Sequence, residues 1–274
     1  MLERLTFGST EMTVVCEGYA PLDLDDEPPN VDWAAELERY PWAFHDERFS
    51  AWHVHAFALR GPDGLVLVDT GVSPLLPIQP WVEHTSLEDA LKAAGVDTAE
   101  VTTVIHTHLH ADHAGGSVLG GEPRFPNALH VVHPADWEHF GRVGGYTARV
   151  AMERLAELDM LDLDPEDREL RPGLRVVHAP GHTPGHRVVV LSEGEGSMLF
   201  TGDLLHTPVQ VRRSNEPSNH DVDGEEGARS RTDLLDRARA QGWEVAVSHF
   251  GHPFGRVGAD GWEPRTEPKA QAEG

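Results

Sequence analysis

The sequence predicts a layered α/β protein, and two observations carry that prediction. Short apolar runs of strand length are interleaved with helical stretches along all 274 residues. Histidines and aspartates then follow directly on the ends of several of these runs. Open α/β folds place their sites there, beyond the carboxyl ends of the strands.

The first strands are read at Met12–Cys16, Trp52–Leu59 and Leu65–Val68, from β-branched and aromatic residues in short runs. Between the first two lies an acidic and aromatic stretch, residues 19–50, with Pro28-Pro29, Trp33, Tyr40, Trp42 and Phe44. It is too long for a plain connector and suits a flap packed over a pocket. Ser86-Leu87-Glu88-Asp89 resembles a capping box with Asp in place of Glu, opening a helix that ends at Gly95. Strands follow at Val101–Ile105, Leu129–Val132, Leu174–Val177, Val188–Leu191, Met198–Phe200 and Val245–Val247. Helices are placed at Pro134–Phe140, Arg149–Leu158 and Glu226–Gln241. No short repeat and no low-complexity block interrupts this order. Residues 264–274 are polar and read as a loose tail.

Composition narrows the function. The formal net charge of −24 repels phosphate backbones and argues against a nucleic-acid partner. No run of eighteen apolar residues exists, so no membrane helix is expected. The N-terminus lacks a basic segment leading into an apolar core, so the default location is the cytoplasm. A single cysteine, Cys16, rules out an internal disulfide and any cysteine-rich metal site. The 18 histidines cluster, and that clustering points to chemistry.

The strand ending at Ile105 runs straight into His106-Thr107-His108-Leu109-His110-Ala111-Asp112-His113-Ala114-Gly115-Gly116. Imidazole and carboxylate are the main nitrogen and oxygen ligands for zinc and related metals. A lone histidine in such a place is more often a core or surface residue. Four such groups within six residues cannot all be buried without partners, which would cost several kcal/mol. The HxHxDH pattern at a strand end therefore points to metal. The glycine pair lets the backbone turn closely beneath the site. One local cluster cannot fill two metal shells, but later strand ends add Pro180-Gly181-His182-Thr183-Pro184-Gly185-His186, Thr201-Gly202-Asp203 and Ser248-His249-Phe250. Each is weak alone, and their shared setting makes them strong together.

These elements, with Leu67-Val68-Asp69-Thr70-Gly71, make the sequence resemble the metallo-β-lactamase superfamily over essentially the whole chain. The resemblance implies an αββα sandwich of two pseudo-equivalent halves, with residues 1–274 as one domain. It implies two divalent metal ions, zinc first, with iron and manganese as alternatives. Metal one would be held by His108, His110 and His182, and metal two by Asp112, His113 and His249. Asp203 would bridge them. Asp69 would orient the site by hydrogen bonds, and His186 and His106 would support it or pack. His252 competes with His249, which is preferred because it directly follows a strand.

Many zinc β-lactamases use a cysteine in the second half of the site, where Asp203 stands here. The resemblance is instead to the lactonase and organophosphate-hydrolase branch, through Gly202–Gln210, Asp221-Val222-Asp223 and Ala228–Arg231. Quorum-signal lactonases tend to carry a tyrosine three residues after the bridging aspartate, and His206 occupies that position here. The implied activity is metal-dependent hydrolysis of an ester, lactone or related bond in a small molecule, through a hydroxide shared by the metals. Asp112 would carry the proton to the leaving group. His206 would donate to a substrate oxygen, titrating near neutrality as an exposed imidazole does. Its bland reading is a loop histidine with no role. Trp33, Trp42, Phe44 and Trp52 would wall the pocket or simply pack. A mononuclear iron oxidoreductase acting on persulfides and a phosphotriester or thioester hydrolase are the alternatives, and a homodimer stays open.

Overall fold

The structure is a computed structural model describing residues 3–27, 30–72, 81–143 and 151–265. Its first half contains strands β1 (Arg4–Phe7), β2 (Thr10–Asp23), β3 (Phe49–Gly61), β4 (Gly64–Val68), β5 (Glu83–His84), β6 (Val101–Ile105), β7 (Val118–Leu119), β8 (Glu122–Pro123), β9 (Leu129–Val132) and β10 (Leu161–Leu163). Helices α1 (Trp33–Arg39), α2 (Leu87–Ala94), α3 (Ala111–Ala114), α4 (Pro134–Val143) and α5 (Glu153–Glu157) lie among them. The second half comprises β11 (Arg168–Arg171), β12 (Leu174–His178), β13 (Arg187–Glu193), β14 (Gly196–Phe200), α6 (Val209–Arg212), α7 (Gly224–Gln241), β15 (Glu244–Ala246), β16 (Phe254–Gly258) and β17 (Gly261–Pro264).

Two sheets face each other. The first runs β1-β2-β3-β4-β6-β9-β10 with β5 against β2, and the second runs β11 to β17 in chain order. Alternation along the strands sorts their side chains among three of the hydrophobic clusters. Phe57, Leu59, Val66, Val68 and Ile105 meet Val189, Leu191, Met198 and Phe200 between the sheets. Ala56, Ala58, Leu65 and Leu67 face outward onto Leu87, Leu91 and Ala94 of α2. Val188, Val190, Leu199 and Val245 face the other way onto Leu234, Leu235 and Ala238 of α7. This is the αββα sandwich. Each fully buried Leu or Phe in the central layer stabilises it by roughly 1.5–3 kcal/mol.

The strand directions position the site. In the first sheet β4, β6 and β9 run parallel. In the second, β12 and β14 are each antiparallel to β13, and β15 is parallel to β14. The chain therefore leaves β4, β6, β12, β14 and β15 in a common sense within each sheet, and their following loops gather at one edge.

Local signals set the helix ends. Ser86 caps α2, accepting the Asp89 N–H at 3.1 Å, and Gly95 closes it in the left-handed region at φ 71°. Asp223 caps α7 in the same manner. The helix anticipated at Arg149–Leu158 is shorter, Glu153–Glu157, and its first two anticipated residues lie outside the described residues. Most of the anticipated tail, residues 266–274, also lies outside them, while Pro264 closes β17.

Residues 19–50 are more ordered than their composition suggested. Their two ends extend β2 and β3, paired from Tyr19↔His53 to Asp23↔Phe49. Tyr40 and Phe44 are buried against the second half, and α1 carries Trp33 onto the same cluster. Pro28-Pro29 lie outside the described residues.

Candidate metal centre

Loops after the strand ends supply every donor. Residues 106–113 leave β6 and enter α3; His182 follows β12, Asp203 follows β14 and His249 follows β15. Two glycines permit the crowding. A Cβ on Gly116 would lie 2.0 Å from the Thr70 carbonyl oxygen. Gly202, at φ 50°, packs against Thr107 and His186.

Two groups of four donors result. His108, His110, His182 and Asp203 form one, and Asp112, His113, Asp203 and His249 the other, each with its ligand atoms within 4.8 Å of one another. Asp203 belongs to both, one oxygen on each side. Its Oδ2 lies 3.1 Å from His182 Nε2 and 3.6 Å from His108 Nε2. Its Oδ1 lies 2.8 Å from His249 Nε2 and 2.9 Å from His113 Nε2.

The surrounding hydrogen bonds choose the tautomers. His113 Nδ1 donates to Asp69 Oδ2 at 2.7 Å, and His249 Nδ1 donates to the His53 carbonyl at 2.7 Å. Thr107 Oγ1 gives its proton to Asp69 Oδ2 at 2.8 Å and so accepts from His108 Nδ1 at 3.1 Å. Asp221 Oδ1 stands 3.4 Å from His182 Nδ1, itself held by Arg231 at 2.9 Å from Oδ2. Each partner engages Nδ1 and turns Nε2 inward, the arrangement that metal-binding histidines use.

Those inward atoms lack sufficient partners among themselves. His108 Nε2 and His182 Nε2 both lie 2.9 Å from His110 Nδ1, and His113 Nε2 lies 3.3 Å from His249 Nε2. Asp112 Oδ2 is buried and has His113 Nε2, at 3.1 Å, close by. The charge balance agrees. Burial would depress His113 and His182, but Asp203 and the other nearby carboxylates outweigh it, holding His113 well above the imidazole range and His182 at about 9. Burial of Asp203 is likewise outweighed by His113 and His249, which hold its carboxyl well below the usual range. Burial pushes His108 well down and His110 to about 4. The cluster holds positive charge between its carboxylates, and its nitrogen and oxygen donors suit two zinc-like cations.

The structure brings together all seven donors read from the sequence. It places His249, not His252, among them; His252 is exposed and meets Trp42 edge-on at 5.3 Å. Asp69, in the left-handed region at φ 59°, accepts the Thr107 N–H at 2.8 Å as well as the bonds above. His186 donates from Nδ1 to the Ala179 carbonyl at 3.0 Å, and its Nε2 accepts the Asp203 N–H at 3.1 Å, fixing the backbone of the shared carboxylate. His106 packs on His130, with a 3.0 Å contact between ring nitrogens.

His206 is 6% exposed, with Nε2 3.2 Å from Asp203 Oδ2. Burial pushes it to about 3, so the titration near neutrality anticipated from an exposed imidazole does not apply. The ring stays neutral at pH 7. Of the aromatic residues, Trp52 stacks on His249 at 4.5 Å, Phe44 is buried in the core, and Trp33 lines a cavity with Val31, Thr207, Val209 and Gln210.

Three supports escaped the sequence reading as parts of this site. Asp136, on α4, accepts from the Thr183 hydroxyl at 2.9 Å and from the Gly185 N–H at 2.6 Å, bracing the His182 loop. Thr107 and the Asp221–Arg231 pair act as described above. Asp221 and Arg231 lie in stretches that resembled the lactonase branch, but no spacing ties them to His182; only the folded loops do.

A family model described as the metallo-beta-lactamase superfamily matches residues 50–249. An N-acyl homoserine lactonase of a Bacillus species is 29% identical over 176 residues, which is 56% of this chain, and the chain spans 64% of that relative's length. A solved structure of AbOPH, a hydrolase in the beta-lactamase superfamily, superposes with a TM-score of 0.83 at 22% identity, covering 97% of this chain and 98% of that one. AidC, a dizinc quorum-quenching lactonase in complex with N-hexanoyl homoserine as product, superposes with a TM-score of 0.82 at 21% identity, covering 97% of both chains. At these identities the likeness to the two structures is one of fold.

Proposed function

The chain belongs to the metallo-β-lactamase superfamily, and on that premise we propose that it is a two-metal hydrolase opening lactones or related ester bonds of small molecules. The observation that carries this reading is the shared carboxylate: Asp203 presents Oδ2 to one group of donors and Oδ1 to the other. Lactones come first because the curated relative bears a lactonase name.

Two cations so held supply Lewis acidity and lower the pKa of a water towards about 7. His108, His110 and His182 would hold one, Asp112, His113 and His249 the other, and Asp203 would serve both. Zinc fits, since five of the donors are imidazole and two are carboxylate, both of which it accepts. Asp112 moves the proton: its buried Oδ2, 3.1 Å from His113 Nε2, accepts the proton of the attacking water and delivers it to the leaving alkoxide. The carbonyl carbon gains one C–O bond and the ring oxygen leaves with that proton. No covalent intermediate on the chain is needed.

His206 donates to a substrate oxygen, with Asp203 Oδ2 orienting its Nε2–H in the free enzyme. Loss of one such donor typically costs on the order of a hundredfold in turnover. His206→Ala is therefore expected to slow lactone hydrolysis by about that factor with metal content unchanged. His206→Tyr should recover lactone turnover more than phosphotriester turnover. Steady-state rates on an N-acyl homoserine lactone, an aryl ester and a phosphotriester at equal metal loading check both points. Unchanged rates in His206→Ala would make the residue a bystander, and absence of any metal-dependent ester or lactone hydrolysis would overturn the function itself.

A further inference from the structure

A third group of donors lies on the β2–β3 ribbon, apart from the two already described. Glu17 occupies a bulge in β2: Cys16 pairs with His55 and Gly18 with Val54, leaving Glu17 unpaired. The Glu17 side chain turns away to accept the Val72 N–H at 2.8 Å. Bulges re-aim side chains in this way, often beside functional sites. Cys16 and His55 are thus cross-strand neighbours, and His53, two residues before His55, shares their face. Cys16 Sγ and one ring nitrogen from each histidine lie within 4.8 Å of one another.

The hydrogen bonds leave this group short of a partner. His55 is 4% exposed, and its Nε2–H donates to the Phe250 carbonyl at 2.9 Å. That bond fixes the tautomer and leaves Nδ1 as the lone-pair atom, which is buried with no hydrogen-bond partner. His53 Nδ1 is also buried without one. Cys16 Sγ accepts the Gly18 N–H at 3.4 Å. His53 has Cys16 as a side-chain partner, but simple packing would leave the buried His55 acceptor unsatisfied, at about 1–3 kcal/mol. A cation removes that cost. Cys16 and His53 are only half-buried, so solvent reaches the group.

We propose that Cys16, His53 and His55 form a third, mononuclear cation site for zinc, with a water completing its coordination. One thiolate and two imidazoles are a ligand set that zinc accepts, and three protein ligands plus water is the open form of such sites. The site lies directly behind the larger centre, because the His53 carbonyl is the acceptor that orients His249. Loading it pins the strand that holds that ligand.

The test uses the full chain, stripped by chelator and titrated with Co(II). The two larger groups contain no sulfur, so a sulfur-to-cobalt charge-transfer band reports Cys16 alone and requires no hydrolysis. The band should appear in the wild type and saturate at one equivalent of its own, and zinc should bleach it. It should vanish in Cys16→Ser, and half-saturation should move at least about tenfold higher in His55→Gln, the size of effect seen for weakened metal ligation. A folded wild type that saturates its other sites without this band overturns the proposal. So does a band indifferent to His55→Gln, which would mark a surface thiolate, or one that zinc leaves intact. Because the decisive spectrum is that of the wild type, a variant that fails to fold does not decide the matter.

Discussion

Asp203→Ala is expected to lower lactone turnover at least about a thousandfold and to leave no more than one tightly held metal. Placing positive charge where it stabilises a transition state is worth several kcal/mol, and about 4 kcal/mol corresponds to a thousandfold in rate. The loss is large because a single side chain serves both groups of donors: Oδ1 faces His113 and His249, and Oδ2 faces His108 and His182. The fold should survive, since the side chain is not part of any apolar core. Turnover, elemental analysis and circular dichroism on one preparation check this. A variant that keeps two metals and its turnover would mean that Asp203 does not bridge.

Metal removal is expected to change both stability and its pH dependence. Each saturated site adds about 4 kcal/mol at a thousandfold excess of ligand over Kd. In the stripped protein the charge must be carried by protons. His182 is held at about 9, above its unfolded value, so its contribution is fully present below about pH 6.5 and is lost as pH rises through 9. His113, also raised, acts with the same sign. Asp112 and Asp203 are depressed, so their contributions are present above about pH 4 and lost as the medium becomes more acidic. The melting temperature of the chelated protein should therefore fall between pH 7 and 9. The loaded protein should not show this alkaline loss, because its histidines are already deprotonated. Loading at pH 7 must then release protons, about two per chain if His113 and His182 carry them. Calorimetric titration with zinc in buffers of different ionisation enthalpy measures that number. Zero release would mean that these histidines are neutral before metal arrives.

Much of this centre was legible in the sequence because its donors sit directly after strands that apolar runs make visible. His108 to His113 follow Val101–Ile105, and Asp203 follows Met198–Phe200. What lay hidden depends on contacts between distant segments. Asp136 reaches the His182 loop from α4, 46 positions away in the chain, and nothing in Pro134–Val143 marks it as more than a helix start. The strands β16 and β17 were missed because glycines at 255, 258 and 261 dilute their apolar pattern. At Gly255 a Cβ would lie 2.4 Å from the Glu263 carbonyl oxygen, so close strand contact, rather than propensity, dictates the residue. The burial of His206 was equally unreadable, since its neutrality comes from the packed rings of His182, His220 and His249 around it.

Anomalous diffraction from crystals of the zinc-loaded protein shows whether one carboxylate joins two cations. Two peaks are expected at the zinc edge about 3.5–4 Å apart, the usual spacing of two-metal sites. One should lie among His108, His110 and His182 and the other among Asp112, His113 and His249, with an Asp203 oxygen on each. A single peak in this centre, or two peaks that Asp203 does not join, would contradict the bridge.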